Sequence, residues 1–163
     1  MEIYILRNGI AIERGTAGYK KDSDRPLTKE GQEKTQQIAE AMLAMDLKFD
    51  LILSSPYERA ARTAQIVADE LGEDVTFTNF LEPEGNPLAL IGQINNEKPQ
   101  RVLLVGHEPD LSRLISLLIS GGTDATIELK KGGICKVTAD KLSFGQCGTL
   151  NWLLTPKQLR ALR

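Results

Sequence analysis

The chain has 163 residues, 41% hydrophobic and 26% charged, which suits one domain with a core of its own and the ordinary soluble class. Twenty basic against 22 acidic residues leave a net charge of -2, so a basic surface spread out for nucleic acid is excluded and any basic site must be local. No apolar run reaches membrane-spanning length, and Met1-Glu2 leads straight into a strand-like segment without the basic and apolar regions of a signal peptide. A cytoplasmic chain with no membrane partner is expected. Cys135 and Cys147 form no CxxC pattern and read as two reduced thiols, and with a single histidine no metal or other cofactor is expected.

In chain order, apolar runs alternate with helical periods, the pattern of an α/β domain. Ile3 to Leu6 is the first predicted strand, cut off by Arg7-Asn8-Gly9. A polar loop runs from Arg14 to Arg25, and Thr28 then precedes a helix with apolar positions at Ile38, Ala41, Met42 and Met45. "DLILSS" is a second strand, and the segment after Pro56 is a helix whose stripe of Ala60, Ala64, Val67 and Leu71 marks one buried face. "VTFTNF" gives a short third strand, "LEPEGNP" a loop, and residues 88–95 a helix. "RVLLVGHEP" is dense in Val and Leu, as a strand buried on both faces should be, and the helix after it carries Leu111, Leu114, Ile115 and Leu118. Beyond "SGG" the character changes. "GGICKVTAD" and "GTLNWLLTP" are two further strands joined by a turn, and Thr155-Pro156 opens a short last helix. There are no repeats, linkers or low-complexity tracts, so residues 1–163 read as a single domain.

Ligands of open α/β sheets bind outside the carboxyl ends of the strands. Those ends carry Arg7-Asn8-Gly9 after the first strand, Ser54-Ser55 with Arg59 after the second, Glu82 after the third, and Gly106-His107-Glu108 after the fourth. Ser55 can cap the following helix, with Pro56 in its first turn and Arg59 about one turn in. A helix N-terminus is a natural seat for phosphate, and Arg7 and Arg59 can each grip phosphate oxygens in a bidentate fork. His107 completes a positive cup suited to a phosphoryl group. Taken singly, each residue has a plainer reading: a strand-end arginine as a salt-bridge partner, a lone histidine bonded to a carbonyl, Ser55 as a cap only. Their joint placement favours the site. Arg62, Lys20 and Lys21 read as solvated charges, the two lysines with the option of a rim for an acidic or phosphorylated partner.

"LRNGIA", "RPLTKEG", "LSSPYERAARTAQIVA" and "VLLVGHEPDLS" together resemble the histidine phosphatase superfamily, the phosphoglycerate-mutase-like group, in its small SixA-type phosphohistidine phosphatase branch. The likeness runs over nearly the whole chain, and "SPxxRAxxTA" followed by "GHxP" is specific as a pair. Larger mutases and acid phosphatases of the group carry insertions around the third strand for which this chain has little room. The resemblance implies a three-layer α/β/α sandwich around a mostly parallel mixed sheet of about six strands. It implies a monomeric phosphatase in signal transduction, acting without cofactor on a phosphohistidine-bearing phosphotransfer protein or domain through a covalent phosphohistidine.

The family's phosphate-gripping arginines fall on Arg7 and Arg59, its second histidine on His107, and its nucleophilic histidine on Asn8. Glu82 sits where larger relatives often place a proton donor, Glu108 is a weaker candidate for the same task, and Ser55 a candidate phosphate contact. A carboxamide nitrogen has its lone pair delocalised into the carbonyl, so Asn8 cannot form the covalent intermediate. It can keep the hydrogen bonds of an imidazole Nδ1. Either the parent protein carries histidine here and Asn8 is a substitution, which the intact arginines and His107 favour, or the natural chain has become a phosphate- or phosphoprotein-binding module. Hydrolysis of a small phosphoester is the alternative within the enzyme class.

Overall fold

The computed structural model describes residues 1–163, and its six-stranded sheet has the order β3-β2-β4-β1-β5-β6. Strands β1 (Glu2–Arg7), β2 (Leu51–Ser54), β3 (Thr76–Phe77) and β4 (Arg101–Gly106) run parallel, while β5 (Ile134–Ala139) and β6 (Gly148–Leu154) are antiparallel additions at one edge. The helices are α1 (Lys29–Ala44), α2 (Glu58–Leu71), α3 (Pro87–Glu97), α4 (Asp110–Ser120) and α5 (Pro156–Arg160). This is the expected α/β class with a mixed, mostly parallel sheet.

Both faces of the sheet are covered, and β1 shows why a continuous apolar run was needed. Tyr4 and Leu6 point into a core shared with Ile38 and Met42 of α1, Ala64 and Val67 of α2 and Leu159 of α5. Ile3 and Ile5 point the other way, into a core with Leu90 and Ile94 of α3 and Leu111, Ile115 and Leu118 of α4. Alternate residues of one strand thus feed two cores, the three-layer arrangement.

Helix ends follow local chemistry. Thr28 Oγ1 accepts from the Gly31 amide 2.9 Å away, and Thr155 with Gln158 makes a reciprocal capping box at α5. The third strand is shorter than expected because Asn79–Leu81 turn into a 3₁₀ helix, and β5 and β6 are joined by an eight-residue connection, 140–147, in place of a tight turn. Helix α3 extends two residues past the expected end before Lys98 closes it in the left-handed conformation.

What matters for function is the edge where the parallel strands end. Arg7 is in register with Gly106, and Ser54 with Val105. The Asn8 amide donates to the Gly106 carbonyl at 3.1 Å, and the Ser55 amide to that of Val105 at 3.0 Å. With β4 between β1 and β2, three strand ends open side by side.

Candidate active site

Over those ends lies a cavity of about 450 Å³ whose wall includes Arg7, Asn8, Arg25, Arg59, His107 and Glu108. Its arginines are held in place by the protein, three of them on one shared carboxylate. Arg7 Nη1 donates to the Leu129 carbonyl at 3.0 Å, and its own backbone is pinned by Gly132 and Gly133. Arg59, on the first turn of α2, is buried. It donates from Nη1 to the Asp22 carbonyl at 2.9 Å and from Nη2 to Asp22 Oδ2 at 3.1 Å. Arg25 meets Asp22 Oδ1 at 2.8 Å from both Nε and Nη2, with Nη1 on the Ile12 carbonyl, and Arg14 reaches the same carboxylate at 3.5 Å.

Asp22 is therefore the anchor of the arginine cluster. Burial alone would raise its carboxyl, but the hydrogen bonds and charges of Arg25 and Arg59 outweigh this and hold it below the usual carboxylate range. Burial lowers both Arg7 and Arg59 from the ordinary arginine value, with Glu108 and Asp22 respectively working against the shift.

His107 sits at the back of the cleft, 3% exposed. Burial first, then the Arg59 charge, push its pKa down from 6.5 to about 3, so the ring is neutral at pH 7. Its Nε2 lies 2.8 Å from Ser55 Oγ, the Tyr57 ring packs edge-on at 5.4 Å, and Nδ1 has no protein hydrogen-bond partner. Asn8 is buried beside it, its Nδ2 donating to the Gly9 carbonyl at 2.9 Å.

Four of the expected site residues, Arg7, Asn8, Arg59 and His107, thus share one cleft. Two others, Ser55 and Glu82, do not line it. Ser55 does not cap α2, which begins at Glu58 with Tyr57 before it. Fully buried, Ser55 accepts from the Tyr57 amide at 3.1 Å and contacts the His107 ring, so its hydroxyl supports His107 and does not line the cleft. Glu82, directly after the 3₁₀ turn at Asn79–Leu81, lines a neighbouring cavity of about 240 Å³ that His107 also lines, and a further one with Ser23, Asp24 and Tyr57. Glu108 does line the cleft, with Oε1 accepting from the Ser112 amide at 2.7 Å.

Residues 3–82 match the sequence profile of the histidine phosphatase superfamily, branch 1. Phosphohistidine phosphatase SixA of Escherichia coli is 28% identical over 98% of this chain and 97% of its own length. A solved structure of the protein histidine phosphatase SixA complexed with tungstate superposes with a TM-score of 0.82 at 28% identity, covering 98% of this chain and 99% of that one. The chain belongs to the histidine phosphatase superfamily. An uncharacterized protein of Picosynechococcus sp. is also similar, 38% identical over 82% of each chain.

The cleft also holds residues that were not singled out as site candidates: Arg25, which opens the "RPLTKEG" motif, and Arg14, Glu13 and Lys131, with Asp22 bonded to Arg25 and Arg59 at its edge. The pair Asp22 and Arg25 is three residues apart in the polar loop, a local signal for an ion pair. Lys131 gave none, because it reaches the cleft from the loop before β5.

Proposed function

We propose that this protein is built as a SixA-type phosphohistidine phosphatase, which takes phosphate from a histidine on a phosphotransfer protein. The observation that carries the reading is the convergence of Arg7, Arg25, Arg59 and a neutral His107 on one open cleft at residue 8. That donor set matches three equatorial phosphoryl oxygens, and tungstate in the SixA structure is a tetrahedral oxyanion of the same kind.

The chemistry is derived for an imidazole at position 8. Donating Nδ1–H to the Gly9 carbonyl, where Asn8 Nδ2 now donates, leaves the Nε2 lone pair for phosphorus. The bond from phosphorus to the substrate nitrogen breaks as the new P–N bond forms, and the leaving imidazole takes a proton. Water then attacks phosphorus, the histidine recovers its electron pair, and inorganic phosphate departs. The arginines stabilise the charge on the oxygens throughout. Ser55 Oγ already accepts from the Tyr57 amide, so its proton is free for His107 Nε2, which fixes the neutral ring with its proton on the buried Nδ1.

With Asn8 in place the same cleft binds a phosphoryl group and does not form the covalent intermediate. Loss of the nucleophile from such a cooperating set costs on the order of 10⁶-fold in rate. Asn8 also favours a second reading, a phosphate- or phosphoprotein-binding module without turnover. The deciding experiment compares this chain with Asn8→His on a phosphohistidine-bearing phosphotransfer domain and on small phosphoesters. Turnover by the variant on the phosphoprotein alone supports the phosphohistidine reading, turnover on esters alone supports a phosphomonoesterase, and silence of both with phosphate still bound leaves the binding module.

A further inference from the structure

A second concavity, of about 230 Å³, lies behind the Gly9-Ile10 segment and is separated from the phosphate cleft by that stretch of backbone. It exists because glycines let three segments meet closely. A Cβ at Gly31 would stand 2.1 Å from the Ile10 carbonyl oxygen, and one at Gly9 would stand 2.6 Å from Thr35 Oγ1. Helix α5, held to α1 through the buried Leu159, closes the far side.

Five cations line this pocket: Lys34 from α1, Lys130 and Lys131 from the loop before β5, and Lys157 and Arg160 from α5. None of the 22 acidic residues does. Glu30 pairs with Lys34 at 2.8 Å and Glu128 comes within 3.8 Å of Lys130, but Lys131, Lys157 and Arg160 have no carboxylate within 4.0 Å. The cluster is not a basic run of sequence; three separate segments carry the charges to one hollow. Like charges gathered in a concave site repel one another, and in a chain of net charge -2 this local excess is the exception. An anion relieves that repulsion. The hollow shape suits a compact ion better than a flat macromolecular face.

We propose that this pocket is a second anion-binding site, which takes a compact, multiply charged anion of phosphate or polycarboxylate chemistry. Lys131 lines both this pocket and the phosphate cleft, so it joins the two sites electrostatically. The proposal goes beyond the phosphatase reading and does not depend on turnover.

The test is isothermal titration at low ionic strength with pyrophosphate, and separately with citrate, using this chain, Arg59→Ala, and the double variant Lys157→Glu/Arg160→Glu. Two binding events are expected in this chain. Arg59→Ala should lose the cleft event and keep the pocket event. The double variant should keep the cleft event and weaken the pocket event by about tenfold or more, since two cations become anions. Whichever of pyrophosphate and citrate binds tighter in the pocket names the source of its anion. A single event that survives the double variant and vanishes in Arg59→Ala overturns the proposal and leaves the cleft reading standing. A single event lost only in the double variant supports the pocket and refutes the cleft. Should circular dichroism show the double variant unfolded, Lys157→Gln/Arg160→Gln replaces it with the same outcomes.

Discussion

Lowering the pH from 7 to 5 should destabilise this protein by about 2 kcal/mol through one group, His107. The ring is 3% exposed, and burial together with Arg59, Arg25 and Arg7 pushes it from 6.5 to about 3, so the folded chain leaves it neutral. The unfolded chain takes up a proton near 6.5. Between those two values the unfolded state binds more protons, so stability is full above 6.5 and is lost as pH falls towards 3, at about 1.4 kcal/mol per pH unit. At pH 5 the ring is neutral in the folded state for any folded value below about 4, so the magnitude is set by the unfolded value. Glu73 acts in the opposite sense, because burial raises its carboxyl and its folded form holds a proton longer. Urea unfolding followed by the fluorescence of Trp152, at pH 7, 6 and 5, should be run on this chain and on His107→Gln, whose amide keeps a polar contact for Ser55. Because His107 is the only histidine and Glu73 is common to both proteins, the difference between them isolates the ring. Equal pH dependence in the two proteins would refute the claim that burial among the arginines holds His107 neutral.

Three further substitutions test the frame of the cleft. Asp22→Ala leaves the buried Arg59 without its carboxylate and should cost about 1–2 kcal/mol in urea unfolding, a modest figure because Asp22 keeps 35% of its side chain exposed. Ser55→Ala removes the hydroxyl that His107 Nε2 and the Tyr57 amide share inside the protein, and a loss of about 1–2 kcal/mol is expected by the same measurement. Gly31→Ala forces a Cβ against the Ile10 carbonyl and should lose about 2–3 kcal/mol.

The elements legible in the sequence were those whose signal is local. The Val- and Leu-rich β4 and the four-three-four stripe of α2 report burial on their own, and Thr155-Pro156 states its helix start in two residues. That Arg7, Asn8 and His107 meet in one cleft was legible for the same reason, since parallel strands end on one edge whatever their order. Ser55 was misplaced because its position before a proline allows a cap, whereas its actual partner, His107, lies 52 residues away and is reached only through the β2-β4 pairing. The 3₁₀ turn at Asn79–Leu81 after a two-residue strand was not legible, and it sets Glu82 in a cavity beside the cleft that His107 also lines. Asp22 carried a local pairing signal with Arg25, but its bonds to Arg59 span 37 residues, and no periodicity encodes them.

The charge framework of the cleft is independent of residue 8, and this separates binding from chemistry. Arg7 rests on the Leu129 carbonyl, Arg59 on Asp22, and Arg25 on Asp22 and Ile12; none of these bonds uses Asn8. Asn8 itself spends its amide on the Gly9 carbonyl, the bond an imidazole Nδ1–H would make, so exchanging the two side chains leaves the arginines where they are. Inorganic phosphate should therefore bind this chain and Asn8→His with affinities within about threefold, less than 1 kcal/mol apart. Their rates on a phosphohistidine protein should differ by orders of magnitude. A large difference in phosphate affinity would mean that residue 8 helps to hold the ion, and the division between an arginine-built seat and a separate nucleophile would then be wrong.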